Sequence, residues 1–196
     1  MRKMVDDFSK NAIYFTRLAR SAVAEKKYNT ALKFLEDAIK ADNSYYDAFE
    51  ERIYINLMLG NSMSNDDLAD RKIAKALLEK QILQNPRDKS LYLKRSHLRS
   101  MNKDHEGALQ DAMYVLKLNP DDNGGYALIT AICQEMGQWD KAIFYQKEML
   151  KTEPDNANNI QNLALLYHKN NQPEKALELL NELIVKYPEK ADFYVS

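Results

Sequence analysis

Apolar residues recur along the chain with the spacing of amphipathic helices. Phe15, Leu18, Ala19 and Ala22 follow the i, i+3, i+4, i+7 pattern, which places their side chains on one face of a helix. A polar turn over residues 26–29 separates this face from the next one, and similar faces alternate with turns to the end of the chain. The pattern predicts consecutive pairs of antiparallel helices.

The helix pairs recur with a period of 34 residues. From the second pair onward, each second helix is predicted to end at a proline, because proline cannot donate to the preceding turn and its predecessor avoids the α region. These prolines are separated by 34 residues and are Pro86, Pro120, Pro154 and Pro188. Five alanines recur in phase with them: Ala31, Ala74, Ala108, Ala142 and Ala176. A fixed period of this length indicates stacked repeats rather than one globular core.

The period also predicts the domain organisation. Residues 1–11 form a polar lead-in, and the helical pattern begins at Ala12. The repeats then occupy residues 12–45, 46–88, 89–122, 123–156 and 157–190. Residues 191–196 are expected to begin a sixth helix or to form a short cap over the last apolar face.

The second repeat is nine residues longer than the others, and the excess lies at residues 61–69. Ser64 followed by Asp67 resembles a capping box, although Asp is shorter than the usual Glu. We therefore predict a short polar loop and then an extended helix from about Asn65 to Gln84. The insertion is interpreted as a surface extension, since insertions in repeat proteins lie in loops on one face.

The helix pairs resemble the tetratricopeptide repeat, a family of 34-residue pairs of antiparallel helices. With each proline counted as position 32, the five alanines occupy position 20. Position 8 is small in four of five repeats and holds Ala19, Ile53, Ser96, Thr130 and Ala164. The resemblance covers residues 12–190 and implies an all-α fold, a right-handed α-solenoid of five repeats. It also implies that paired helices cross most closely at positions 8 and 20, where a larger side chain would separate their axes.

Two positions depart from the family pattern. Arg52 and Arg95 occupy position 7, which is usually leucine, and Asn56 and Arg99 occupy position 11, which is usually apolar. We expect a partly polar interface between repeats two and three, with the arginine stems packed and their charged ends reaching water.

The resemblance implies a non-catalytic adaptor or scaffold that binds a peptide or protein segment in a concave groove lined by first helices. By position, the groove residues are Arg17, Arg20, Glu51, Tyr54, Met58, Leu93, Lys94, His97, Met101 and Leu128. The same rule adds Gln161, Leu165 and His168 in repeat five. Such a mixed lining suits a peptide, because apolar side chains supply contact area and charges set the register.

Other roles stay open for this groove and for the last repeat. The groove residues can be solvated side chains of a spacer. The protein can instead be a structural subunit of a larger assembly or a self-associating array, stacking through exposed residues of the last repeat. These residues are Leu179, Leu183, Val185 and Tyr187.

The family's grip on a partner's C-terminal carboxylate is not matched here. Counted from repeat one, the equivalent residues are Thr16, Arg20, Glu51, Ser90 and Lys94 in place of the family's Lys and Asn set. Glu51 would repel a carboxylate, and counting from repeat two or three gives no match either. We predict binding without a carboxylate clamp.

No residues in the sequence form a catalytic, cofactor or metal site. His97 and His168 lie two repeats apart, too far to share an ion, and His105 is expected to pack in the place of Trp139. Cys133 occupies a core position and is expected to be an inert thiol. An enzymatic role would require a catalytic domain outside these residues.

Composition narrows the classes of partner. Twenty-eight basic and 29 acidic residues give a net charge of −1, so nothing in the balance of charge favours nucleic acid. No apolar run approaches the roughly 18 residues of a membrane span. Asp6 and Asp7 lie where a signal peptide needs an apolar run, and the lone cysteine has no internal partner. We expect a cytoplasmic protein, with a removed signal peptide as the open alternative.

Overall fold

The computed structural model describes residues 2–62 and 64–187, with side chains described from Lys10 onward and none at residue 63. Within these ranges the chain forms ten α-helices and no strand. They are α1 (Arg2–Ala24), α2 (Tyr28–Ala41), α3 (Tyr46–Met58), α4 (Asn65–Gln84), α5 (Lys89–Met101), α6 (His105–Leu118), α7 (Asn123–Glu135), α8 (Trp139–Thr152), α9 (Ala157–Lys169) and α10 (Pro173–Lys186). The prediction of an all-α fold of helix pairs is confirmed. The sixth helix or cap predicted at 191–196 lies outside the described residues.

The chain divides into two compact units, Met1–Pro86 and Arg87–Ser196. In the first unit α1 packs on α2 and α3 packs on α4, while α2 contacts α3. In the second unit the pairs are α5–α6, α7–α8 and α9–α10, and α6 contacts α7 as α8 contacts α9. Each unit is therefore a row of helical hairpins in which every second helix also touches the next first helix.

The five in-phase alanines lie where the paired helices meet. Ala31, Ala74, Ala108 and Ala142 are fully buried, and Ala176 is 6% exposed. All five position-8 residues on the facing first helices are buried as well. Both positions of the predicted close contact are thus buried in every hairpin, and nine of the ten residues there are small, which adds little bulk between the two backbones.

The first helix begins earlier than the apolar pattern predicts. α1 starts at Arg2, not at Ala12, so residues 2–11 belong to the helix and the predicted start is corrected. This segment contains no proline or glycine, and each residue added to an existing helix forms a further backbone hydrogen bond without a new nucleation cost. An apolar stripe is therefore not required for the extension.

The inserted residues extend α4 at its N-terminus. α4 has 20 residues, against 14 in each of α2, α6, α8 and α10, and its bounds agree with the prediction. The side chain of Ser64 accepts a hydrogen bond of 3.2 Å from the Asp67 amide, which confirms the predicted cap. One turn later, Arg71 Nε donates to Asp67 Oδ2 at 2.7 Å, and both side chains are buried. This ion pair ties the added turns to the body of the helix.

The arginines at position 7 pair with carboxylates of their own hairpins. Arg52 on α3 donates two hydrogen bonds, of 2.6 and 2.5 Å, to the carboxylate of Asp70 on α4. Arg95 on α5 donates two, of 2.8 and 2.6 Å, to the buried carboxylate of Asp111 on α6. The expectation that the arginine ends reach water is therefore wrong. A half-buried guanidinium is better satisfied by a fixed carboxylate than by partial hydration.

Candidate functional site

In the first unit the predicted groove residues lie on α1 and α3. Arg20 Nε donates a hydrogen bond of 2.5 Å to Glu51 Oε1, and Arg20 Nη2 lies 4.0 Å from Asp47 Oδ2. Burial alone would lower the pKa of Arg20, but the hydrogen bond to Glu51 and the nearby carboxylates raise it above the usual value. Arg20 and Glu51 thus form one ion pair across two first helices rather than two independent charges.

The apolar groove residues of this unit are open to solvent. Tyr54 and Met58 on α3 are 41% and 53% exposed, and Arg17 on α1 is also exposed. Tyr54 and Met58 lie one helical turn apart on α3, so they form a short apolar strip beside the Arg20–Glu51 pair.

In the second unit several of the predicted groove residues are only partly accessible to a partner. Leu93 on α5 packs against the start of α7. If Gly124 carried a Cβ atom, that atom would lie 3.3 Å from Leu93 Cδ1. Leu128 on α7 is half-buried against the apolar core around Ile129 and Cys133. Both leucines therefore contribute to packing between helices as well as to the surface.

Three further predicted residues of this unit lie on α5. Lys94 and Met101 are half-buried, and His97 is exposed. The structure therefore places four predicted groove residues on α5, one on α7 and three on α9, the last being Gln161, Leu165 and His168.

An apolar opening in the described part of the second unit lies between α9 and α10. This groove has a volume of about 570 Å³ and carries no charged side chain in its lining. Its principal side chains are Gln161, Leu165 and His168 of α9 and Ala176, Leu177 and Leu180 of α10. Leu165 is 52% exposed and Leu177 is 60% exposed, although both are large apolar residues. The two leucines form an apolar contact surface bordered by polar side chains.

Sequence reasoning found only one wall of this groove. Positions on first helices identified Gln161, Leu165 and His168, but the α10 wall belongs to a second helix and was missed as part of the groove. The signal available in the sequence was the spacing of Leu177 and Leu180, which follow Ala176 on the same face of α10.

Other chemically versatile side chains take part in packing. Cys133 is buried, and burial raises the pKa of its thiol above the ordinary value. His105 is half-buried, with Nδ1 3.7 Å from Glu135 Oε2. Across the described ranges, no three His, Cys, Asp or Glu side chains are grouped closely enough to hold a metal ion. Nor is any described helix both long enough and apolar enough to cross a lipid bilayer.

The hairpins and their in-phase alanines define a helical-repeat protein. Residues 134–194 match the family model of the tetratricopeptide repeat. This part of the chain is therefore similar in sequence to tetratricopeptide repeats, and the helical hairpins share that fold.

Solved structures share this fold at low sequence identity. The thermophilic tetratricopeptide repeat protein TTC0263 of Thermus thermophilus is 20% identical, with a TM-score of 0.65 over 94% of this chain and 95% of its own. YrrB, a repeat protein with an unusual peptide-binding site, is 20% identical, with a TM-score of 0.52 over 95% of this chain and 92% of its own. The MamA protein is 15% identical, with a TM-score of 0.55 over 95% and 97%. Among curated protein sequences, none matches significantly.

Proposed function

We propose that this protein is a non-catalytic interaction module that binds a peptide segment of a partner protein, with the α9–α10 groove as the main apolar contact. The observation that carries the proposal is the exposure of Leu165 and Leu177 on facing walls of one groove. Burying these two side chains under a partner would remove apolar surface from water at no cost in buried charge.

The chemistry of the groove favours an apolar peptide anchor with polar flanks. Leu165, Leu177 and Leu180 offer contact area, while the side chains of Gln161 and His168 make the border polar. A peptide side chain such as leucine or phenylalanine fits between the two helices, and its backbone then lies beside the polar border. The fold of YrrB, a peptide-binding repeat protein, supports this use of the same architecture.

Binding without a carboxylate clamp remains part of the proposal. Thr16, the first residue in the clamp comparison, is buried, and its hydroxyl donates to the Ala12 carbonyl oxygen at 2.8 Å. Glu51 adds a carboxylate beside Arg20 and neutralises the guanidinium that a ligand carboxylate would need. The first unit is therefore expected to contribute apolar contacts through Tyr54 and Met58 rather than a site for a chain terminus.

The test compares groove variants with a matched surface variant. Short random peptides displayed on phage are selected on the full chain, and the affinity of an enriched peptide is measured by fluorescence anisotropy. Leu165→Asp and Leu177→Asp should each weaken binding roughly tenfold or more, because they place a charge in the apolar contact. Val185→Asp is the control, since Val185 is 82% exposed on α10 outside the groove lining.

Equal affinity for all three variants would reject the groove as the binding site. Circular dichroism and thermal unfolding establish beforehand that the variants are folded. Because all three positions are exposed, we expect their thermal midpoints to stay close to that of the wild type.

Self-association through the last repeat is the second candidate function. Val185 is the most exposed of the residues assigned to stacking, whereas Leu183 is buried within its own hairpin and cannot contribute. The prediction for Leu183 is therefore wrong. Light scattering across concentration separates the two functions: a monomer that binds the selected peptide excludes stacking, whereas an assembly that Val185→Asp disperses supports it.

A further inference from the structure

The nine inserted residues of the second repeat build one wall of a cleft in the first unit. This cleft has a volume of about 760 Å³ and lies between α2 and α4, with α3 as its floor. The N-terminal turns of α4, which only the longer helix possesses, contribute Asp66 and Ala69 to the lining. The cleft is separate from the α9–α10 groove and shares no residue with it.

The floor of the cleft is held in place by an ion pair. Arg52 donates two hydrogen bonds to Asp70, whose side chain is almost fully buried, so the two charges neutralise each other. A bidentate pair of this kind restrains both side chains. The floor is therefore polar, ordered and close to neutral.

The walls combine aliphatic surface with carboxylates. Leu32 and Ile39 line the α2 side, and Ile73, which is 41% exposed, lines the α4 side. Each wall also bears an exposed carboxylate, Glu36 on α2 and Asp66 on α4. Among the residues that the structure describes, neither carboxylate has a salt-bridge partner, so both are available to a cation.

One lysine lies at the same cleft and does not cancel this charge. Lys40 Nζ is 3.7 Å from Asp37 Oδ1, a carboxylate outside the cleft lining, and both side chains are exposed. With Arg52 neutralised by Asp70, the carboxylates of Glu36 and Asp66 outnumber the one ammonium group of Lys40, so the cleft keeps a net negative charge. An acidic segment would be repelled, and a basic one would be attracted.

We propose that this cleft binds a lysine- or arginine-bearing segment of a partner protein, as a second binding site independent of the groove. The methylene stem of the basic side chain packs on Leu32, Ile39 and Ile73, and its charged end lies between Glu36 and Asp66. The aliphatic surface of the walls suits the stem of such a side chain, and the carboxylates suit its charged end. An apolar residue would not pair with the carboxylates, and an acidic residue would be repelled by them. The insertion thereby supplies Asp66, the exposed carboxylate of the α4 wall, on which the charge selectivity of the site depends.

The test selects phage-displayed random peptides on the wild-type chain and on the double variant Glu36→Gln/Asp66→Asn. We expect the wild type to enrich peptides containing Lys or Arg, and we expect the double variant not to enrich them. An enriched peptide should bind the double variant roughly tenfold or more weakly, and its affinity for the wild type should fall between about 50 and about 300 mM NaCl. Glu79→Gln is the matched control, because Glu79 is an exposed carboxylate of α4 outside the cleft lining and should leave the affinity unchanged.

The outcomes distinguish this site from the groove. Basic peptides that still bind the Leu165→Asp/Leu177→Asp chain but not the Glu36→Gln/Asp66→Asn chain support the cleft. A wild-type selection in which basic peptides are not enriched, or equal binding of the basic peptides to the cleft variant, would each overturn it. If every selected peptide is lost only with the groove variants, the proposed function stands and the cleft proposal fails.

Discussion

The hydroxyl group of Ser96 on α5 donates a hydrogen bond of 2.8 Å to the carbonyl oxygen of Ala108 on α6. Both residues are fully buried, and they occupy positions 8 and 20 of the same repeat. A serine side chain is short, so it reaches a backbone carbonyl on the facing helix only where the two backbones approach closely. The contact marks a close approach of the two helices, so we expect a larger side chain at either position to force them apart.

Enlarging a position-20 alanine should therefore destabilise its hairpin. Ala142→Leu inserts a larger side chain at a fully buried site on α8 and should lower the free energy of unfolding by about 1–3 kcal/mol. Chemical denaturation measures the change. Ala131→Leu on α7 is the control, since Ala131 is exposed and leucine there should be close to neutral. Equal effects of the two substitutions would contradict close crossing at this site.

The carboxylate of Asp111 should be essential to the α5–α6 hairpin. It accepts hydrogen bonds from Arg95 and, at 2.9 Å, from Arg99 Nη1, which also donates to the Gly107 carbonyl oxygen at 2.9 Å. Asp111→Ala leaves two half-buried guanidinium groups without this partner and should cost about 3 kcal/mol of unfolding free energy.

An all-leucine replacement provides the comparison for this network. The triple variant Arg95→Leu/Arg99→Leu/Asp111→Leu removes every charge of the network and should recover most of the loss caused by Asp111→Ala, because buried ion pairs can be replaced by packed apolar groups. Denaturant titration measures the unfolding free energy of both variants. A triple variant even less stable than Asp111→Ala would show that the network contributes more than charge compensation.

Asp122 should make stability depend on pH. It caps α7, accepting from the Gly125 amide at 3.0 Å, and it also accepts from Lys89 of α5. Burial would raise the pKa of Asp122, but these hydrogen bonds and the charge of Lys89 outweigh burial and lower the pKa below its usual value. The stabilisation is therefore present above the pKa of the unfolded chain, about 3.9, and is lost as the pH falls through the lower folded value.

The matching variant is Asp122→Asn, which retains a capping oxygen but loses the charge. It should be less stable than the wild type at about pH 7, by on the order of 1 kcal/mol, and the difference should shrink below about pH 4. Unfolding at several pH values measures the two curves. Asp121→Asn, at an exposed neighbouring residue, should follow the wild-type curve, and a constant difference at all pH values for Asp122→Asn would contradict the assignment.

Cys133 should react slowly with thiol reagents while the protein is folded. Its side chain is 1% exposed, and burial raises the pKa of the thiol, so both access and thiolate content are low. We expect slow modification by Ellman's reagent in buffer and rapid modification in denaturant. Introducing a cysteine at Ala131 on the same helix provides an exposed comparison, which should react fast. Equal rates at Cys133 and at this exposed site would contradict burial of the thiol.

Much of the fold could be predicted from sequence because local rules determine it. Prolines end helices by removing a donor, Ser64 caps α4 through its own side chain, and the alanines repeat in phase with both. These effects depend on residues a few positions apart. The start of α1 escaped prediction because helix propagation into residues 2–11 needs no apolar stripe.

The sequence predicted only the α9 wall of the α9–α10 groove. The family positions used for the prediction describe first helices, whereas the α10 wall comes from a second helix. The cleft at α4 could not be predicted either, because Glu36 and Asp66 lie 30 residues apart in sequence and line one cleft only in the folded chain.

By itself the sequence determined the hairpins, their period and the small residues at their crossings, because each follows from local hydrogen bonding and from bulk at a fixed helical position. Only the tertiary structure determines which charged side chains pair with one another. From the same backbone position an arginine can extend to water or turn to a carboxylate, and the partners of Arg52 and Arg95 lie 18 and 16 residues away in sequence. Only the packing of the second helix brings those carboxylates within reach, and it thereby determines which charges are neutralised inside the hairpins and which remain for a partner.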